Sequence, residues 1–262
     1  TLSEKYAVVS DILHNRIHGL SFSPYLAGQS PGMEIPAKQI RERLGGIEAY
    51  CRWIRSFSCT EGNQATPAIA REYGLKTMVG IGVGTDGARN EGELHNGIEL
   101  AKAGLTDILA VGNEVLLRED MSEKQLVALI QQVKQAVPDV MVGYVDAYFL
   151  FENHPVLAEV CDVILINCYP FWESCPAEHA VPYMQEMYRR AKAVAGDKPV
   201  VISETGWPSA GEAYGGAIPG VENAVDYFID TFRWADAEGV DIVYFTSFDE
   251  SWKVGDEGDV GA

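Results

Sequence analysis

Short apolar runs alternate with longer amphipathic segments from one end of the chain to the other. The apolar runs read as strands at 17–25, 53–57, 77–83, 108–111, 140–145, 163–169, 199–203 and 242–248. Several are continuous and rich in β-branched residues, the pattern of strands covered on both faces of a parallel sheet. Between them, helical periodicity occupies 36–51, 66–73, 91–103, 122–136, 155–160, 177–195 and 221–237. Ser122 and Gln125 open one helix as a capping box, and Gly104, Gly196 and Gly239 close others. Eight strands with helices between them in 262 residues predict one α/β domain over 1–262, a (β/α)8 TIM barrel. A doubly wound sheet is the alternative, but eight units of this length suit closure better. After the last strand only 249–262 remains, too short and too rich in Gly and Asp for an eighth helix. That helix is expected to be reduced or absent. The amphipathic stretch 3–15 is expected in its place, with 1–16 as an N-terminal helical extension.

Charge and cysteine content narrow the possible partners. With 38 acidic and 20 basic side chains the formal net charge is −18. A field of that sign repels phosphate backbones and anionic lipid, so neither nucleic acid nor a membrane surface is expected as a partner. A neutral polymer meets no such penalty. No apolar run reaches membrane-spanning length. A periplasmic or extracellular location is expected, with a domain cut from a membrane-anchored protein as an open reading, and a monomer is expected. The five cysteines, Cys51, Cys59, Cys161, Cys168 and Cys175, lack metal-ligand spacing. Cys168 and Cys175 bracket one loop and are the pair placed to bridge.

Two patterns invite other chemistry. Residues 82–87 match G-x-G-x-x-G after a strand, with Asp107 about twenty residues on. The match falls at the third strand, and polar residues 88–90 predict no helix opening at its third glycine, so nucleotide binding is not expected. Asp249, Glu250, Asp256, Glu257 and Asp259 follow no EF-hand spacing and read as a solvated acidic tail. No metal and no cofactor is expected.

The strongest chemical signal is a pair of glutamates at strand tips. Glu114 ends Ile108-Leu-Ala-Val-Gly-Asn-Glu114, and Glu204 ends Pro199-Val-Val-Ile-Ser-Glu204. In a barrel these are the C-terminal ends of the fourth and seventh strands, where catalytic groups sit. Two carboxyls on one rigid rim are what cleavage of a glycosidic bond requires. Aromatic residues near the same rim, Tyr25, Tyr148, Phe171, Trp172, Trp207 and Trp252, offer faces for sugar C–H groups. Of these, Trp207 is expected to be structural, because it lies in a tight Gly-Trp-Pro turn.

Val111-Gly-Asn-Glu-Val115 and Ile202-Ser-Glu-Thr-Gly-Trp-Pro-Ser209 resemble the two signature segments of glycoside hydrolase family 17, the β-1,3-glucanases and glucanosyltransferases. Gly19-Leu-Ser-Phe-Ser-Pro-Tyr25, Ile54-Arg-Ser-Phe57 and Phe248-Asp-Glu-Ser-Trp-Lys253 resemble its bacterial and fungal branch, and a bacterial-type member is expected. The resemblance implies a retaining double displacement with Glu114 as acid/base and Glu204 as nucleophile. Such carboxyls stand about 5–5.5 Å apart, and the acid must stay protonated near neutrality. It also implies that Asn113 meets the substrate 2-hydroxyl and that Glu250 and Lys253 contact substrate. Tyr169 is placed to donate its hydroxyl to Glu204. Ser251 stands where family members often carry Pro. The expected activity is transglycosylation on β-1,3-glucan, elongating or branching the chain. An endo-β-1,3-glucan hydrolase is the alternative, and a non-catalytic glucan-binding barrel is the alternative of another class.

Overall fold

The apolar runs do form strands, and in the computed structural model, which describes residues 1–260, all eight are parallel and close on themselves. They are β1 (Ile17–Ser21), β2 (Cys51–Arg55), β3 (Lys76–Ile81), β4 (Ile108–Asn113), β5 (Met141–Ala147), β6 (Val163–Asn167), β7 (Val200–Glu204) and β8 (Asp241–Tyr244). Each pairs with its sequence neighbours, and β1 completes the ring against β8 through Gly19 and Val243. Outside lie α1 (Leu2–His14), α2 (Ala37–Gly45), α3 (Thr66–Glu72), α4 (Gly87–Lys102) and α5 (Glu123–Ala136). They are followed by α6 (Tyr148–Asn153), α7 (Pro155–Val160), α8 (Ala177–Ala195), α9 (Val221–Glu238) and α10 (Gly255–Asp259).

Alternation along the strands divides the interior into two levels. Met78, Ile108, Ala110, Val145, Val163, Leu165, Val201 and Val243 form one apolar cluster that fills the barrel. Two residues further along their strands, the same inward positions become polar: Asn167 follows Leu165 and Ser203 follows Val201. Period-two geometry therefore lifts polar side chains to the C-terminal rim above a dry core. The larger apolar cluster, including Leu109, Val111, Ile164, Ile166 and Ile202, lies between the strands and the helices.

Several elements differ from the sequence reading. The strand expected over 17–25 ends at Ser21, and the helix expected over 36–51 ends at Gly45, so that Cys51 begins β2. Helix α6 was not expected; its Tyr148, Leu150 and Phe151 are buried, so packing sets it where local periodicity over six residues cannot. The expectation that no helix opens at Gly87 is corrected. Helix α4 starts there, because the Asp86 side chain caps it, accepting from the Ala88 N–H at 3.1 Å and the Arg89 N–H at 3.2 Å. The tail forms one short turn, α10, and the last two residues of 249–262 lie outside the described residues. All five cysteines are buried free thiols, Cys168 and Cys175 among them.

Helix α1 packs along α9. Lys5 reaches Glu222 at 3.0 Å and Asp226 at 2.8 Å, and Ile12 and Leu13 lean on the core. Among the described residues no helix is long and apolar enough to cross a membrane.

Candidate active site

Glu114 owes its position to a break in β4. The register against β5 slips between Ala110 and Asn113, and Gly112 has φ +87°. A Cβ on Gly112 would lie 2.8 Å from Val115 Cγ2, so glycine is required at this bend. Glu114 itself is left-handed at φ +53°, an uncommon conformation for a residue with a side chain. Its N–H donates to the Val145 carbonyl at 2.8 Å, anchoring the turn to β5. Strain of this kind persists where the surrounding structure over-determines it, which is common at reactive groups.

Glu204 ends β7 directly, and its carboxylate is nearly buried, at 8% exposure. Arg55, on β2, donates from Nη1 to Glu204 Oε1 at 2.6 Å and from Nη2 to Asn113 Oδ1 at 2.9 Å. The Tyr169 hydroxyl donates to Glu204 Oε2 at 2.6 Å. Asn167, at the tip of β6, donates from Nδ2 to Glu114 Oε1 at 2.9 Å and to Asn113 Oδ1 at 3.3 Å. Ser203 Oγ donates to Asn167 Oδ1 at 2.9 Å, which fixes the orientation of that amide. One continuous network thus joins Arg55, Asn113, Glu114, Asn167, Tyr169 and Glu204. The two glutamates receive different hydrogen-bond partners: Glu204 has a cation and a phenol, Glu114 a neutral amide.

Protonation follows from those surroundings. Burial pushes the Glu114 carboxyl up to about 7; the Glu204 charge and, further off, that of Asp146 add to this, while the Asn167 hydrogen bond opposes it. Burial, and then the Glu204 charge, raise the Tyr169 phenol well above its usual value, so it stays a donor. Glu250 is raised by burial, against the pull of Lys253. For Lys253, burial acts against the ammonium, but the carboxylates of Glu250 and Glu257 outweigh it and raise its pKa. Lys253 Nζ lies 2.8 Å from Glu250 Oε2, and Ser23 Oγ donates to Glu250 Oε1 at 2.8 Å.

The carboxyls face an open cleft with two lobes that meet over Glu114 and Glu204. The larger lobe, about 760 Å³, is lined by Tyr148, Tyr169, Trp172, Trp207 and Tyr214 among others. The smaller, about 300 Å³, is lined by Tyr25, Asn63, Arg89, Asn113, Glu250 and Trp252 among others. The aromatic residues expected as one platform are therefore split. Tyr25 and Trp252 meet edge to face at 4.9 Å in the smaller lobe. In the larger lobe Phe171 is 1% exposed and packs edge-on against Trp172 at 5.0 Å and Trp207 at 5.3 Å. Phe171 thus backs the wall instead of fronting it, and Trp207 is tied by its Nε1–H to the Ile218 carbonyl at 3.0 Å. Tyr148 is buried, with its hydroxyl donated to Glu173 at 3.0 Å.

Arg55 and Asn167 were not singled out as site residues from sequence. Each leaves a trace: Arg55 is a charge within the strand run 53–57, and Asn167 is a polar residue at a strand tip before Cys-Tyr-Pro. The glycine-rich segment 82–87 is occupied from within. Glu93 Oε2 accepts from the Gly82 N–H at 2.7 Å and Asn90 Oδ1 from the Gly84 N–H at 2.8 Å, so these donors are not offered to a phosphate.

A closed (β/α)8 barrel with two carboxyls in unequal surroundings across one open cleft defines an enzyme of the glycosidase class. The chain belongs to the BtgE/BtgC glycoside hydrolase domain family, whose profile matches residues 19–262. Among similar proteins, a glucan 1,3-beta-glucosidase of Arthroderma benhamiae is 27% identical, over 89% of this chain and 82% of that protein. One from Schizosaccharomyces pombe is 29% identical, over 79% of this chain and 70% of that protein. The crystal structure of a glycoside hydrolase family 17 beta-1,3-glucanosyltransferase from Rhizomucor miehei superposes with a TM-score of 0.84 at 25% identity, covering 95% of this chain and 93% of that one.

Proposed function

We propose that this chain is a retaining β-1,3-glucan transglycosylase that elongates or branches glucan chains through a glycosyl-enzyme intermediate. The observation that carries the reading is the unequal treatment of two carboxyls in one cleft. Glu204 accepts from Arg55 and from Tyr169, at 2.6 Å from each, and serves as nucleophile at the anomeric carbon. Glu114, pushed up to about 7, carries a proton at neutral pH and gives it to the departing glycosidic oxygen. Asn113 Oδ1 is engaged by Arg55 and Asn167, which leaves its amide nitrogen to meet the 2-hydroxyl.

The proton cycle closes through the same electrostatics. Once Glu204 is esterified, its charge is gone and Glu114 loses a like-charged neighbour. The Glu114 carboxyl, deprotonated by the first step, then acts as base toward the acceptor hydroxyl. The acceptor oxygen attacks the anomeric carbon, the ester to Glu204 breaks, and both carboxyls return to their starting states. Buried Glu250 and its partner Lys253 border the cleft as substrate contacts. Tyr25 and Trp252 in one lobe, and Trp172 in front of Phe171 and Trp207 in the other, supply the sugar-facing rings.

The cleft continues on both sides of the carboxyls, which gives an acceptor chain room to bind, as transfer requires. The similarity to the Rhizomucor miehei glucanosyltransferase supports the same choice. The names of the fungal relatives, glucan 1,3-beta-glucosidases, favour hydrolysis as the second reading. Incubation with laminaripentaose, followed by mass spectrometry of early products, separates the two. Oligosaccharides longer than five glucose units are expected before the substrate is consumed; shorter products alone would make the enzyme a hydrolase. A substrate of this kind places the domain outside the cytoplasm.

The proposal extends to the outer layer. Helix α1, which packs on α9 and runs two residues before β1, stands in for the eighth helix of the barrel. Deleting residues 1–15 is expected to lower the melting temperature by about 5 °C or more, read by calorimetry. An unchanged melting temperature would make α1 an appendage.

A further inference from the structure

Beneath the Glu114 turn lies a buried pair that the proposed reaction does not itself use. Tyr144 and Asp146 stand two residues apart on β5 and so share one face of the strand. Both are fully buried. The Tyr144 hydroxyl donates to Asp146 Oδ2 and accepts from the Leu116 N–H at 3.0 Å. Asp146 Oδ1 accepts from the Ala147 N–H at 2.7 Å. The pair therefore takes up a backbone donor of the turn that follows Glu114 and holds that residue in its left-handed conformation.

Asp146 has no cation in contact: burial raises its pKa, and the Tyr144 and Ala147 hydrogen bonds, with the Arg118 charge at longer range, oppose the rise. Among the described residues no cation lies within 4.0 Å of it; Arg118 instead faces Glu114 at 4.0 Å and Asp120 at 3.0 Å. A carboxylate in that position is costly unless it is satisfied by donors, and here phenol and amide groups satisfy it. Its negative field then acts on the neighbouring turn at low dielectric.

We propose that Asp146, held by Tyr144, is a positioning residue for Glu114: the pair fixes the turn that carries the acid and sets a buried carboxylate beneath it. The inference rests on the reading of Glu114 as acid/base. The other charged or titratable groups around Glu114 are Glu204 on β7, Tyr169 after β6, Arg118 on its own turn, and Arg55 reaching it through Asn113. Burial and the Glu204 charge lead the upward shift of Glu114, and Asp146 adds to it. Removing the Asp146 charge therefore moves the titration without abolishing it.

The test is the pH profile of kcat/KM for Asp146→Asn, Tyr144→Phe and Glu114→Gln beside the wild type. Asp146→Asn is expected to move the alkaline limb down by about half a unit to one unit. The loss at pH 8 then exceeds the loss at pH 5 by about three- to tenfold. Tyr144→Phe removes the tether; it is expected to lower kcat at every pH. An alkaline limb unmoved in Asp146→Asn overturns the inference. If Asp146→Asn does not fold, a wild-type kcat in Tyr144→Phe overturns it instead. Glu114→Gln tells this failure from that of the underlying reading: a limb that persists there means that Glu114 was never its source.

Discussion

Replacing Glu204 by glutamine is expected to lower kcat on laminari-oligosaccharides by about 10⁴-fold or more while oligosaccharide binding persists. The neutral amide keeps the shape of the site but cannot form the ester intermediate. Arg55, 1% exposed, loses its ionic partner in this variant. Glu114 loses a like charge, so its carboxyl titrates lower than in the wild type. Glu204→Ala leaves room for a small anion where the carboxylate stood. With azide and an activated β-glucoside it is expected to yield the α-glucosyl azide, because attack now comes once, from the nucleophile's side. Unchanged turnover in Glu204→Gln would remove this residue from the mechanism. A β-azide product would place the nucleophile elsewhere.

The second large effect belongs to Glu114. With its carboxyl at about 7, kcat/KM of the wild type is expected to fall about tenfold per pH unit above that value, because only the protonated acid assists departure. Glu114→Ala is expected to cost about 10²–10⁴-fold on glucans and to erase that limb. Substrates with good leaving groups lose less, and azide then returns the β-glucosyl azide by taking the sugar from Glu204.

Stability follows with a definite sign. The folded pKa is raised from 4.5 to about 7, so the folded state holds this proton more tightly than the unfolded chain. The resulting stabilisation is present below the unfolded value and is lost as pH rises through the folded one. Glu114→Gln removes the penalty of an ionised buried carboxyl. It is expected to be more stable than wild type at pH 8, by on the order of 3 kcal/mol, or roughly 5–10 °C in melting temperature. The advantage should vanish near pH 4; equal melting temperatures at pH 8 would show that burial does not strain this group.

Sequence reading placed the eight strand cores within a few residues, because buried parallel strands are long apolar runs and the signal is local. Helix starts were less legible. Asp86 carried the cap signal for α4, but the polar residues after it masked the helix, and α6 depends on burial of Tyr148 and Phe151 against elements distant in sequence. Both glutamates were legible because each sits in a turn motif directly after a strand.

What the sequence by itself determined is the barrel count and the two carboxyls on its rim, both properties of short contiguous segments. What the tertiary structure decided is how those carboxyls differ. Arg55 reaches Glu204 across 149 positions of chain, and Asn167 reaches Glu114 across 53. Period-two alternation tells which face a strand residue takes, not what closure brings opposite it. The split of the aromatic residues into two lobes, the burial of Phe171 and the Tyr144–Asp146 pair under the acid have the same origin: they exist only once β1 has met β8.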